Sequence, residues 1–419
     1  MVGGNYMLEN VSIGAKKSFP ALTHKNFRYF WFGQCLSLIG TWIQNTTQGW
    51  LVLQITSKNA SLLLGIISAL QFTPLLLFSL FSGVIVDRFS KKKLLLFTQS
   101  GLMLMAILQG VLVKTNAIRY WHLMIIAFLV GCLNSIDFPT RQSFVVELVG
   151  KEDLMNGIAL NSTVFNAARI VGPGIGGLLI GYFGIAYCYF INAFSFIPVL
   201  YGIYKMQGIK AKVTKKNFKG NILNDVKEGL RYISKNKILV RTFAVITIMG
   251  IFAFNYNVLI PIFSTEVLGL DSKSYGFLMS SLGAGSLIGA LTMATKRKGA
   301  PKEKFIQFVS YMVSILLIII GILKSYYTLA MFLALIGVFN VMFSTNANSR
   351  VQLNSKDEYR GRVMSVYSML FSGVTPIGSL FTGAICNNFG PQKAFIFSGI
   401  LSIFLLTMVN VVVRCKNND

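Results

Sequence analysis

The chain has 419 residues, 54% of them hydrophobic and only 13% charged, with a net charge of +25 and a mean hydropathy of +0.62. A soluble domain carries about a quarter charged residues, so a chain this apolar would aggregate in water and is read as a membrane protein. The positive charge does not point to nucleic acid, because it lies in short clusters between apolar runs, as topology determinants do. Cys35, Cys132, Cys188, Cys386 and Cys415 show no CxxC spacing, and His24 and His122 lie far apart. No disulfide framework, metal centre or cofactor is expected. No nucleophile–base pair or phosphate-binding loop is present, which argues against an enzyme or an ATP-driven pump.

Residues 1–26 are polar and mildly basic (Lys16, Lys17, Lys25) and lack a signal-peptide cleavage pattern. Twelve apolar spans of the length that crosses ~30 Å of hydrocarbon follow, at 27–55, 61–86, 94–113, 121–146, 157–181, 187–206, 238–264, 274–295, 305–323, 328–352, 363–386 and 393–413. Span one is unusual inside: Gln34, Thr41, Gln44, Asn45, Thr46, Thr47 and Gln48 stand where lipid-facing residues are apolar. Several amides cannot face lipid together without a cost of several kcal/mol, so part of this helix faces a protein or water interior.

Spans two and three are joined by Gly83-Val84-Ile85-Val86-Asp87-Arg88-Phe89-Ser90-Lys91-Lys92-Lys93, a charged turn that can only sit at a water–lipid boundary. Lys and Arg in short loops stay cytoplasmic. With the N-terminus inside, the inward loops hold Arg88, Lys91 to Lys93, Lys151, the basic segment 205–241, Lys296, Arg297, Lys298, Lys302, Lys304, Lys356, Arg360 and Arg362. The outward loops hold only Lys58, Lys114, Arg119, Lys273, Lys324 and Lys393, so both ends are expected in the cytoplasm. The inward segment between spans six and seven divides the chain: a cytoplasmic segment 1–26, a six-helix bundle 27–206, a linker 207–237, a second bundle 238–413 and a tail 414–419. Inside the linker, Ile222, Leu223, Val226, Leu230 and Ile233 recur at helical spacing among Lys227, Glu228, Arg231 and Lys235. This is either a basic amphipathic helix on the membrane surface or a solvated linker helix.

The halves read as degenerate copies. Gly83 and Asp87 are matched by Gly289 and Met293, the latter followed by Lys296-Arg297-Lys298. Glu147-Leu148 matches Gln352-Leu353, Lys151-Glu152-Asp153 matches Lys356-Asp357-Glu358, Pro173 matches Pro376, and Phe183-Gly184 matches Phe389-Gly390. Repeats of this kind place a binding site between two halves near the bilayer centre.

Asp137 is the only acidic residue well inside a span. Arg141 stands four positions on, on the same helical face, and Arg169 is buried in span five. An ionisable group there costs ~2.5–3.5 kcal/mol, so the three are expected to meet one another or a water-filled cavity. Asp137 either takes up a proton and releases its basic partner, or forms a permanent ion pair; the arginine left over could instead hold an anionic substrate. Span five continues as Gly172-Pro173-Gly174-Ile175-Gly176-Gly177, whose glycines permit close helix approach.

The turn from Gly83 to Lys93 resembles the loop 2–3 signature of the major facilitator superfamily, with Ser90 where that pattern has Gly, and Gly172-Pro173-x-x-Gly176-Gly177 resembles its antiporter signature. Pro139 to Val149, Leu160-Asn161-Ser162, Ala168 to Pro173, Lys227 to Leu230, Asn255 to Pro261 and Arg360 to Val363 are similar to the branch containing macrolide efflux proteins and enterobactin exporters. The resemblance implies an all-α polytopic fold of twelve helices in two pseudo-symmetric six-helix bundles. It places Asp87, after Gly83 and beside Arg88, against the inner start of span eleven, and pairs Lys91 with Glu147 when the halves close on the cytoplasmic side. It also implies a cavity lined by Gln44, Asn45 and Gln48 of span one, Asn134 and Asp137 of span four, and Asn255, Tyr256 and Asn257 of span seven. Asn340, Asn346 and Asn348 of span ten join them, with Trp42, Trp50, Phe252 and Phe254 as aromatic surface. The function implied is secondary efflux of a hydrophobic or amphipathic small molecule across the cell membrane, by alternating access and proton antiport, in a monomer whose partners are substrate, protons and lipid bilayer, without nucleic acid. The alternatives are a dedicated exporter of one metabolite such as a siderophore, and an importer or facilitator on the same fold. Single cysteines introduced at Lys92 and Lys356 should both react with an impermeant maleimide only from the cytoplasmic side; labelling from opposite sides would overturn the topology.

Overall fold

Apolar runs of membrane length must satisfy their backbone within themselves, which in a single chain of this pattern means helix. The computed structural model describes residues 19–56, 59–150, 152–207, 222–295 and 303–418; within these, the side chains of some helical residues, Gly83 and Asp87 among them, lie outside what is described. The first half contains α1 (Lys25–Ile55), α2 (Ala60–Arg88), α3 (Lys91–Lys114), α4 (Tyr120–Val149), α5 (Leu154–Phe183) and α6 (Ile185–Lys205). A shorter helix, α7 (Ile222–Lys235), precedes the second half: α8 (Lys237–Ile248), α9 (Tyr256–Ile262), α10 (Ser272–Thr295), α11 (Glu303–Ile322), α12 (Tyr326–Leu353), α13 (Asp357–Gly373), α14 (Thr375–Phe389) and α15 (Pro391–Asn418).

Among the described residues, 11 helical stretches are long and apolar enough to cross a membrane, α8 to Val267 counting as one and α13 with α14 as another. The twelfth expected span is α1. It has 31 residues, about 46 Å of helix at ~1.5 Å per residue, and its amide-rich run lowers its apolarity. Outward-facing Phe97, Leu104, Trp121, Phe194 and Phe404 are exposed, as lipid-facing side chains are.

The halves are built alike. In the first, α2 packs on α4, α3 lies against α4 and α6, and α1 lies against α5 and α6; in the second, α10 packs on α12, and α11 lies against α12 and α15. The repeat is also visible in the backbone. Gly184 ends α5 at φ 89, ψ 167, and Gly390 ends α14 at φ 85, ψ 162. That positive φ is accessible to glycine and strained for other residues, so the same turn closes the fifth helix of each copy.

Two spans depart from a plain helix. Span seven is discontinuous: α8 runs into a π turn at Met249–Ala253, breaks at Phe254 and Asn255, resumes as α9, and ends in a second π turn at Phe263–Val267. Asn255 Nδ2 donates to the Ile251 carbonyl at 2.7 Å, so its side chain covers the break. Span eleven divides into α13 and α14, and Pro376 opens α14 in its first turn, where a missing N–H is harmless. Its counterpart Pro173 sits inside an unbroken α5.

The linker helix is neither free in solvent nor simply resting on a membrane. Tyr232 of α7 stacks on Tyr359 of α13 with ring centroids 4.6 Å apart, and its hydroxyl accepts from the Lys356 backbone N–H at 3.1 Å. Glu228 pairs with Arg362 at 2.6 Å. The helix is therefore docked on the start of span eleven.

The halves meet along two seams at the end away from the termini. On one, Gly177 of α5 faces Gly276 of α10; on the other, Gly65 of α2 faces Gly383 of α14. The glycines of span five serve both neighbours, since Gly172 and Gly176 lie against Trp42, Ile43 and Thr46 of α1, and Gly174 and Gly177 against α10. Hydrogen bonds cross the seams from Ser280 Oγ to the Ile170 carbonyl at 2.7 Å and between the Ser68 and Ser379 hydroxyls at 3.0 Å. Trp50 of α1 stacks on Tyr275 of α10 at 5.8 Å. A Cβ at Gly177 would lie 2.5 Å from the Ser272 carbonyl and 2.9 Å from Gly276 Cα. Gly177→Leu should therefore hold this end open and raise the reactivity of a cysteine at Asn45 from the side opposite the termini. Unchanged reactivity would mean that the seam is not what closes it.

Candidate functional site

A cavity of about 700 Å³ lies inside the first half, and every residue lining it comes from α1 to α6. Its wall is a mixture of amides and aromatics: Gln34, Gln44 and Asn45 of α1, Gln71 and Phe72 of α2, Asn134 and Phe138 of α4, Asn161, Phe165 and Asn166 of α5, and Phe196 of α6. It extends from mid-helix toward Gln142, Val145 and Ile158, the end that carries the turns after α2 and α4. The seams described above close the other end.

Asp137 forms part of this wall and is 1% exposed. Thr98 Oγ1 donates to its Oδ1 at 2.6 Å, Gln99 Nε2 donates to the same oxygen at 2.7 Å, and Arg141 Nε donates to Oδ2. The donors replace the water that an ionised carboxylate loses on burial. Thr98 and Gln99 stand on α3, so the acid ties α3 to α4. Arg141 Nη1 is buried and has no hydrogen-bond partner. Arg169 does not join this pair, so of the two arrangements expected of the three residues, a mutual triad is absent while Asp137 and Arg141 face the cavity. Its guanidinium lies over the Trp42 ring at 5.7 Å from the centroid, toward the second half, because α5 turns that face to α1 and α10 rather than to α4.

Gln44 also reaches the cavity but is held from behind. Its Nε2 donates to Gln109 Oε1 at 2.9 Å, and its Oε1 accepts from Asn192 Nδ2. Asn45 and Asn134 line the cavity, and Gln48, Asn255, Tyr256 and Asn257 do not. Asn255 and Tyr256 are buried, with an unpaired Oδ1 and an unpaired hydroxyl. Asn257 is exposed and Gln48 half-buried. The π turn before Asn255 rotates the following residues away from the positions an ideal helix would give them. From span ten, Asn346 Nδ2 donates to the Met342 carbonyl at 2.6 Å, Asn348 Oδ1 accepts from Gln352 at the same distance, and Asn340 lies outside the wall.

At the end nearest the termini, Lys91 pairs with Glu147. Both belong to the first half, so the pair forms while the cavity reaches this end and does not require the halves to close, as had been expected. The Asp87 contact with span eleven lies outside the described side chains, as does Gly83; Arg88 is exposed. The second half carries an unanticipated cluster here. Glu303 pairs with Arg241 and, at 2.8 Å, with Arg350, and Arg241 Nη2 also donates to Asn410 Oδ1 at 2.6 Å. Glu303 opens span nine, and its acidity at a membrane boundary was the available signal. Among the described residues no group of His, Cys, Asp and Glu could hold a metal ion.

Two alike six-helix halves, glycine seams between them and a polar chamber reached from one end define a transporter of the major facilitator fold. The chain belongs to the major facilitator family described as transmembrane secretion effectors, which matches residues 16–419. It is 26% identical over 395 residues to the staphyloferrin A transporter of Staphylococcus aureus (strain NCTC 8325 / PS 47), covering 91% of this chain and 94% of that one. It is 23% identical over 401 residues to macrolide efflux protein A of Streptococcus pyogenes, covering 94% and 97%. In fold it is similar to the nucleoside transporter NupG, with TM-score 0.74 at 11% identity over 93% of this chain and 99% of that one. A bacterial homolog of the lysosomal transporter Spinster, inward-facing and unoccupied, aligns with TM-score 0.67 at 12% identity over 92% and 94%. The protein is a multi-pass membrane transporter, not an enzyme.

Removing one partner of a buried ion pair strands the other. Arg141→Leu should lower stability in detergent by about 3–5 kcal/mol, and Asp137→Asn in the same chain should recover most of it. A neutral Arg141→Leu would mean that the pair carries no such weight.

Proposed function

We propose that the protein exports a hydrophobic or amphipathic small molecule across the cell membrane by alternating access, in exchange for protons. The observation that carries this reading is Asp137, a lone carboxylate in the wall of a membrane-embedded cavity, with a basic partner that still has an unfilled donor. Protonation of Asp137 would release Arg141 and loosen the tie between α3 and α4, so that proton uptake and a change of state become one event. With the termini in the cytoplasm, the open end of the cavity takes its substrate from inside the cell. An amide and aromatic wall of about 700 Å³ suits a bulky amphiphile. The names of the relatives point the same way, to macrolide efflux and to a siderophore.

The second reading, a dedicated exporter of one metabolite such as a siderophore, is favoured by the similarity to the staphyloferrin A transporter over 91% of the chain. Comparing metabolites released by cells with and without the protein separates the two: a single missing compound supports the dedicated exporter, and several unrelated ones support broad efflux.

In everted vesicles, adding a substrate from a panel of amphiphiles should dissipate a preformed proton gradient, and Asp137→Asn should abolish this while leaving expression intact. Transport that survives this substitution with its proton coupling would make Asp137 a permanent brace between α3 and α4. No dissipation by any member of the panel would overturn antiport.

A further inference from the structure

Arg169 stands on α5 one helical turn beyond Phe165, which lines the cavity. Its guanidinium lies on the Trp42 ring, and Trp42 meets Phe165 edge-on with centroids 5.9 Å apart. The arginine therefore sits just past the closed end of the chamber, where α1 and α5 face the second half. Tyr256 stands on α9, which packs against α1 from across the seam, and its buried hydroxyl has no hydrogen-bond partner. No carboxylate pairs with Arg169 among the described residues, and no described acceptor takes its N–H groups. Asp137 is engaged instead by Thr98, Gln99 and Arg141.

Arg169 is half-buried, with no carboxylate of the described residues beside it to balance its charge, and its cation–π contact with Trp42 contributes only ~0.5–2 kcal/mol. Packing alone would be served better by an apolar side chain. The Asp137–Arg141 pair is neutral, so of these three charges one positive charge is left over at the end of the cavity. A cationic ligand would be repelled there. A planar fork of donors beside a hydroxyl donor matches a carboxylate, which can accept two parallel N–H bonds and a third from the phenol. Trp42 supplies a face for the apolar or aromatic part of the same molecule.

We propose that Arg169, with Tyr256 and Trp42, is the recognition site for a carboxylate on the exported molecule, so that the substrates are amphipathic anions. This rests on the reading of the cavity as a substrate site and names the substrate class. Since Arg169 and Tyr256 belong to different halves, a carboxylate held by both bridges them, so its binding and release are linked to how the halves sit.

The test uses the purified full-length protein in detergent and reads thermal unfolding with a panel of aromatic acids of graded size, each paired with its neutral amide, beginning with 2-naphthylacetate and 2-naphthylacetamide. Acetate alone distinguishes a carboxylate borne on an amphiphile from any small free anion. Acids should stabilise the protein where their amides and acetate do not. Arg169→Gln should weaken acid binding about tenfold or more, the loss expected for a charge-assisted hydrogen bond, and leave amide binding unchanged. Arg169→Lys should retain part of it, and Tyr256→Phe should weaken it less. A panel in which no acid outperforms its amide, or acids that bind Arg169→Gln as they bind the native protein, would overturn the proposal, as would acetate acting as well as the larger acids. Binding is read without a gradient or a direction of transport. This inference can therefore fail while proton-driven export stands, and the reverse.

Discussion

In a bilayer, apolar side chains gain almost nothing by leaving lipid for protein, so helices associate through close packing and a few hydrogen bonds. The two seams between the halves show this limit directly. Where Gly177 meets Gly276 and Gly65 meets Gly383, backbones come into van der Waals contact because nothing larger than hydrogen stands between them. The bonds that cross, Ser280 to Ile170 and Ser68 to Ser379, are neutral and worth about 0.6 kcal/mol each in such settings. A joint of this kind is tight in geometry and weak in energy. Separation breaks glycine contacts, a few hydroxyl bonds and the cation–π contact of Lys273 with Tyr182.

Two ion pairs at the other end lie within the halves. Lys91 at the start of α3 pairs with Glu147 near the end of α4. In the second half Glu303 at the start of α11 pairs with Arg350 near the end of α12. The same joint occurs twice with the charges exchanged, linking the third and fourth helices of each half. Lys92 adds to this in the first half, donating to the Tyr204 and Met206 carbonyls at the end of α6 at 3.0 and 2.7 Å.

Much of this was legible in the residues. Span number and register followed from apolar length. The repeat followed from short matches such as Phe183-Gly184 and Phe389-Gly390, because a glycine needed at positive φ is kept by geometry wherever the turn recurs. The polar run in α1 announced an interior, and Gln44 and Asn45 indeed line the cavity. Partners were harder to see. Nothing local to Asp137 indicates that Thr98 and Gln99 of α3 lie beside it, although two adjacent polar residues inside an apolar span invite the question. The break in span seven was also hidden, since Phe252-Ala253-Phe254-Asn255 has no proline or glycine to mark it. The placement of Asn255, Tyr256 and Asn257 went wrong for that reason: an uninterrupted helix was assumed across a π turn.

The polar groups are unevenly divided between the halves. The first half holds the cavity, the Asp137 network and Arg169. The second contributes to that region through α9, a short helix bounded by π turns whose Tyr256 hydroxyl and Asn255 Oδ1 lack partners. Buried polar groups are nearly always satisfied, and irregular backbone at membrane depth occurs where it lines a cavity or a site. A broken helix carrying an unpaired hydroxyl and an unpaired amide oxygen stands at the seam. The first half thus holds the chamber and its acid, and the second brings an interrupted helix to the seam.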